Sequence, residues 1–221
     1  IMRRIAARAS TTLARSRRGR PRRARDMSRA SSASREDELR ALWASSYDGW
    51  VNVPRMDDEE VDDAHAFDDA VTTYFEPLAL DVDDGVLAQR PRPPAIARRG
   101  VTFAVTGHNP MGEPASAKAN AAANAKLERD IRGLDGVRAH WRSFGFSKDW
   151  REDGFVCAFE DGVDGTATMV ALAEKYAQGA IYRYEACERS DRALRRRTIP
   201  VAMSEAVDAD VLIAVCERPR F

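Results

Sequence analysis

The chain has 221 residues, with 35 basic and 35 acidic side chains and no net charge. That is room for one ordinary domain with extra segments, and length alone argues against two large domains. The longest apolar run toward the end, Val211 to Val215, falls far short of the roughly 18 apolar residues a spanning helix needs, so neither a transmembrane helix nor a membrane partner is expected.

The charge is polarised along the chain. Residues 1–35 hold 12 arginines and one acid, Asp26, which leaves 23 basic against 34 acidic residues in the remainder. The leader is also rich in Ala, Ser and Thr. Met2, Ile5, Ala9 and Leu13 recur in it at helical spacing, with Arg4 and Arg8 off that stripe. The pattern predicts a mitochondrial or plastid transit peptide, since it lacks the apolar stretch of a secretory signal. A basic arm that binds nucleic acid is the competing reading. Once the leader is removed, the acidic remainder would be repelled by phosphate, and nucleic acid becomes an unfavourable partner.

From Ser34 to Trp50 a short helical pattern places Leu39, Leu42 and Trp43 on one side. An acidic run from Asp57 to Asp63 reads as a solvated linker. Phe67 to Leu80 is a further flanking piece, and residues 88–100 form a loop rich in proline and arginine. Val101 to Thr106 carries a strand signal that stops at Gly107-His108-Asn109-Pro110. Ser116 then caps an Ala-rich helix that runs to near Leu134, with Leu127, Ile131 and Leu134 as its buried stripe.

Val137 to Arg142 predicts a second strand, and Gly154 to Glu160 a third, in which Phe155, Cys157 and Phe159 alternate with their neighbours. Thr166 to Tyr176 is helical, and Ala180 to Tyr184 is a fourth strand. The order strand, helix, strand, strand, helix, strand predicts an α+β fold of the ferredoxin-like split βαβ type, with one antiparallel sheet. The expected boundaries are a leader over 1–35, a helical and acidic linker over 36–66, the α+β domain over 67–185 and an extension over 186–221 with a terminal strand near Val211 to Val215. Arg195-Arg196-Arg197 reads as solvated surface. Cys157 and Cys216 read as core residues, and the absence of Cys-x-x-Cys spacing argues against a disulfide framework or a zinc site.

Five segments carry a family resemblance: Thr72-Thr73-Tyr74; Phe103 to Pro110; Ser116 with Asn120 and Leu127; Trp150 to Phe155; and Ala177 to Ile181. In this order they resemble the family called domain of unknown function 3293, over roughly residues 67–185. Gly107 departs from that family's strand-ending pattern, and His108 stands where an aromatic residue is common there. The resemblance implies no activity and no cofactor.

The polar and aromatic members of these segments, Thr106, His108, Asn109, Asn120, Trp150, Glu152 and Gln178, are the candidate site. Loop amides and a helix N-terminus converge at a strand-to-helix junction, which suits a small polar pocket for an anionic or amide-bearing ligand. In that pocket Asn109 and Gln178 would donate hydrogen bonds to the ligand and accept them from it, and Glu152 could act as a base. The plainer reading makes Asn109 a turn residue, Asn120 a cap and Trp150 an anchor. No nucleophile elbow, phosphate loop or metalloprotease helix is present.

Three functions follow from these residues. The first is a small-ligand-binding or regulatory domain. The second is an enzyme of undescribed type using Glu152 or His108. The third is an RNA or assembly-binding module, which would need a basic surface from Arg98, Arg99, Arg192 and Arg195 to Arg197.

Overall fold

A computed structural model describes residues 40–56, 71–202 and 209–221. The basic leader and the acidic run from Asp57 to Asp63 lie outside the described residues. Residues 40–45 are helical. The strands follow as β1 (Tyr47–Val51), β2 (Thr72–Leu78), β3 (Thr102–Val105), β4 (Val137–Phe146), β5 (Arg151–Phe159), β6 (Ala180–Ala186), β7 (Ala193–Pro200) and β8 (Asp210–Cys216). Two short helices, α1 (Asp84–Ala88) and α2 (Ala95–Arg98), precede β3; α3 (Ala117–Ile131) and α4 (Thr166–Lys175) follow β3 and β5.

The eight strands form a closed antiparallel barrel in the order β1-β2-β8-β7-β6-β3-β5-β4, with β1 returning to β4. This corrects the expected ferredoxin-like fold with one open sheet. The predicted strand and helix order runs along the chain, and β6, β3, β5 and β4 are neighbours. The other four strands close the sheet on itself, which removes both edges.

An open sheet with helices on one face needs one buried face. Strand β5 is buried on both: Phe155, Cys157 and Phe159 pack toward α3 and α4 with Leu127, Ile131 and Met169. Val156 and Ala158 pack inside the barrel with Trp50, Phe75, Trp141 and Tyr184. An eight-stranded barrel has an interior that side chains alone can fill. At one end α2 contributes Ile96 and Ala97 to that interior cluster.

Three staves were not read as strands from the sequence: β1, β7 and β2, which lies in the flanking piece Phe67 to Leu80. The helical pattern drawn through Trp50 ends at residue 45, and Tyr47–Val51 is β1 because it pairs on both sides, with β2 and with β4. The Arg195-Arg196-Arg197 run lies in β7, where alternate residues face opposite sides. Arg195 pairs outside with Asp210, whereas Arg196 is 1% exposed inside the barrel.

There the Arg196 guanidinium bonds Asp48 Oδ2 at 2.7 Å and also donates to the carbonyls of Trp43, at 2.7 Å, and Ser46, at 2.9 Å. The Tyr184 hydroxyl donates to Asp48 Oδ1 at 3.1 Å, and the Arg196 guanidinium lies 4.5 Å from the centre of the Tyr182 ring. Burial pushes the Asp48 carboxyl up, opposed by the charge and hydrogen bond of Arg196 and by Tyr184. Burial works against the charge of Arg196, and Asp48, Tyr182 and Tyr184 together outweigh it. With Arg196 inside the barrel and Arg195 paired with Asp210, the arginine run is not the uniformly solvated surface that the sequence suggested.

Removing one partner of such a buried pair is costly, while replacing both by apolar groups of similar volume is often neutral. Arg196→Ala is expected to lose about 3–5 kcal/mol in urea unfolding, and Asp48→Leu with Arg196→Met to recover most of that loss. Equal losses in both variants would show that the charge pair is not what holds β1 to β7.

Candidate functional site

The β3–α3 loop leaves the barrel at the end where β4 and β5 turn and β6 begins. Thr106 sets its first bend: the hydroxyl donates to the Asp153 carbonyl at 2.6 Å and accepts from the His108 N–H at 2.9 Å. Gly107 follows because α3 is close. A Cβ there would sit 3.0 Å from the Ala123 backbone and 3.1 Å from Asn124 Oδ1, tighter than an ordinary contact. This explains the departure at Gly107 from the family pattern.

Asn109 has φ 46° and ψ 62°, in the left-handed region, which asparagine tolerates better than most residues. Its side chain makes three hydrogen bonds within the protein. The Oδ1 accepts from the Ala115 N–H at 3.0 Å and from Asn120 Nδ2 at 3.1 Å, and the Nδ2 donates to Glu152 Oε1 at 2.9 Å. The Asn109 N–H donates to Asn120 Oδ1 at 3.0 Å. Gln178 Nε2 holds the next stretch from the α4–β6 connection, donating to the carbonyls of His108 at 3.1 Å and Tyr176 at 3.2 Å.

One working residue was not among the candidates. Asn124 lies one turn beyond Asn120 on α3; its Oδ1 accepts from the Gly107 N–H at 2.8 Å and its Nδ2 donates to the Asp153 carbonyl at 2.8 Å. The available signal was two asparagines at i and i+4 among alanines, a polar stripe on a helix of small residues.

Glu152 stands opposite Gly145 of β4, on the face of β5 that carries Val156 and Ala158. It therefore points into the barrel end. Trp150 is two residues earlier, and its ring crosses Gly145, where a Cβ would lie 3.3 Å from the indole. The Trp150 Nε1 is buried and has no partner among the described residues. Tyr182 is nearby on the inner face, its hydroxyl 2.9 Å from Ser46 Oγ.

Burial raises the Glu152 carboxyl above its ordinary value, and the Asn109 hydrogen bond and the charge of His108 pull it back. Burial likewise raises Tyr182, with the charge of Glu152 a lesser contributor in the same direction. The structure thus brings Thr106, His108, Asn109, Asn120, Glu152 and Gln178 into one connected cluster. Trp150 borders it through Gly145. Thr106, Asn109, Asn120 and Gln178 are occupied by scaffold bonds. The His108 ring has no hydrogen-bond partner among the described residues, and the carboxyl of Glu152 is engaged on one oxygen.

Other concavities lie elsewhere. A groove of about 510 Å³ runs between α3 and α4 past Arg129, Leu134 and Lys175, and one of about 360 Å³ lies by the β6–β7 turn at Cys187 and Arg189. No group of three or more metal-ligating side chains occurs among the described residues. Cys157, Cys187 and Cys216 are not bridged, and burial pushes the Cys157 thiol up to about 12. No helix among the described residues is long and apolar enough to cross a membrane.

Fold and site together define a closed antiparallel barrel with a polar cluster at one mouth, organised by the β3–α3 loop. Residues 105–181 match the model of a family described as protein of unknown function (DUF3293), so the resemblance drawn from the sequence is shown over that stretch. All seven candidate residues fall within it. No curated protein and no solved structure matches the chain.

The raised carboxyl fixes the sign of a pH effect. A group whose folded pKa lies above its unfolded value stabilises the fold below the unfolded pKa, and that contribution is lost as pH rises through the folded pKa. Glu152→Gln keeps an acceptor for Asn109 and removes the charge, so it should be more stable than the wild type at neutral pH. A gain on the order of 1 kcal/mol corresponds to roughly 2–4 °C in the melting midpoint for a chain of this size. The gain should vanish below the ordinary carboxyl value of 4.5. Melting curves at neutral and acid pH decide this; a loss of stability at neutral pH contradicts it.

Proposed function

We propose that this chain is a small-ligand-binding or regulatory domain of a plastid or mitochondrion, and that its ligand seats at the barrel mouth against Glu152, His108 and Trp150. One observation carries the reading. Thr106, Asn109, Asn120 and Gln178 are tied into bonds that brace the β3–α3 loop, while the Glu152 carboxyl and the His108 ring retain open bonding capacity near the Trp150 ring. Supporting residues that lock a few unspent groups in place are the usual construction of a binding constellation. The interior beneath is filled by Trp50, Tyr184 and Arg196, so the ligand is small and sits at the rim. The organelle rests on the composition of residues 1–35 alone.

An enzyme is the second reading, favoured by the raised carboxyl next to an imidazole. A Glu152 base and a His108 acid would be a reasonable proton-transfer pair. The two readings separate on Glu152→Gln, because an enzyme of this kind would keep its substrate and lose turnover.

The test is native mass spectrometry of the full chain beside Glu152→Gln and His108→Ala. A small mass carried by the wild type and lost from both variants is the expected result. Bare masses throughout, together with no shift in melting temperature across a panel of polar metabolites, contradict the proposal.

A further inference from the structure

We infer that the ligand of the barrel mouth carries a positive charge on nitrogen, an alkylammonium or guanidinium group that binds the Glu152 carboxylate; this rests on the ligand-binding reading above. The sequence pointed to an anionic or amide-bearing ligand, because Asn109 and Gln178 were free to donate. In the structure both amides already donate within the protein. Asn109 Nδ2 faces Glu152 and Gln178 Nε2 faces main-chain carbonyls, so the polar group turned toward the mouth is a carboxyl.

That carboxyl is the exception among the described residues. Among the described residues, each of the other seven carboxylates that is not exposed has a Lys or Arg nitrogen in ion-pair contact. Asp48 has Arg196 at 2.7 Å, and Asp130 has Lys175 at 2.9 Å. Glu152, half-buried, has none. A carboxylate withdrawn from water is costly without a cation, and burial accordingly raises it. The described residues put only the His108 imidazole beside this carboxyl, and a cation carried by the ligand would complete the pairing that the other carboxylates have.

The surroundings select an organic cation. No cluster of three metal-ligating groups exists among the described residues, and one carboxylate is a poor site for a divalent ion, which takes several oxygen ligands. Beside Glu152 the Trp150 ring lies over Gly145, and an indole next to a carboxylate is good company for an ammonium group and its methylene stem. Asn109 fixes one oxygen at 2.9 Å and leaves the second to the ligand.

The experiment uses three probes of one stem, n-butylammonium, butyramide and butyrate, titrated into the isotope-labelled full chain. The Trp150 indole N–H and the His108 amide report by NMR. Expected is saturable movement of both signals with n-butylammonium, weakened tenfold or more in Glu152→Gln, with butyramide and butyrate at least tenfold weaker. If butyrate or butyramide moves the same signals as tightly as the ammonium, the mouth still binds ligands and the charge assignment is overturned. If none of the three moves them, the charge assignment and the ligand site at this mouth both fall.

Discussion

The arrangement depends on a pair of charges inside the barrel, the Arg196 guanidinium on β7 and the Asp48 carboxylate on β1. The sheet closes only because β1 pairs with β4 on one side and β2 on the other, and Asp48 lies in that stave. Arg196 reaches across the interior to it and to the carbonyls of residues 43, 44 and 46, tying the chain that enters β1 to the far wall. Such a pair is weak evidence for net stability, yet it opposes any register that would leave either charge unpaired. With the staves so fixed, the rim formed by β3, β4, β5 and β6 is fixed too.

Two carboxylates on the inner face of this barrel have opposite circumstances. Asp48 is buried with a cation and a tyrosine hydroxyl as its partners. Glu152 is nearer the rim, braced by an asparagine amide, with the His108 imidazole nearby and no Lys or Arg in ion-pair contact among the described residues. The first contributes to the fold, whereas the second sits at its expense, with its charge disfavoured by burial. Local rules of packing and polar satisfaction are broken mainly where function requires it, and the contrast between these two acids is the physical basis for placing the ligand at Glu152.

The local elements were legible in the sequence and their closure was not. β-branched and aromatic runs, the Ser116 cap and the Ala-rich helix mark β3, α3, α4 and β6 in positions close to those observed. Closure depends on partners distant in the chain. Trp50 reads as the end of a helical pattern until β2 and β4 flank it, and Arg195-Arg196-Arg197 reads as surface until alternate arginines are seen on opposite faces of β7. A signal was present in β5: Val156 and Ala158 between Phe155, Cys157 and Phe159 leave neither face polar, which an open sheet with helices on one side does not need. At the site, six of the seven residues named from the sequence come together, but which partners their amides take was not legible, because hydrogen-bond direction is set by which amide meets which carbonyl in space. Asn124 escaped notice for the same reason, its partners Gly107 and Asp153 being 17 and 29 residues away.

The most direct test is a carbon-13 NMR titration of the Glu152 side-chain carboxyl in the full chain without ligand. An unpaired, half-buried carboxyl predicts a midpoint above the ordinary value of 4.5, which falls when n-butylammonium is added. A midpoint at or below 4.5 in the ligand-free protein would mean that Glu152 already has its countercharge, and the site would need no cation from outside.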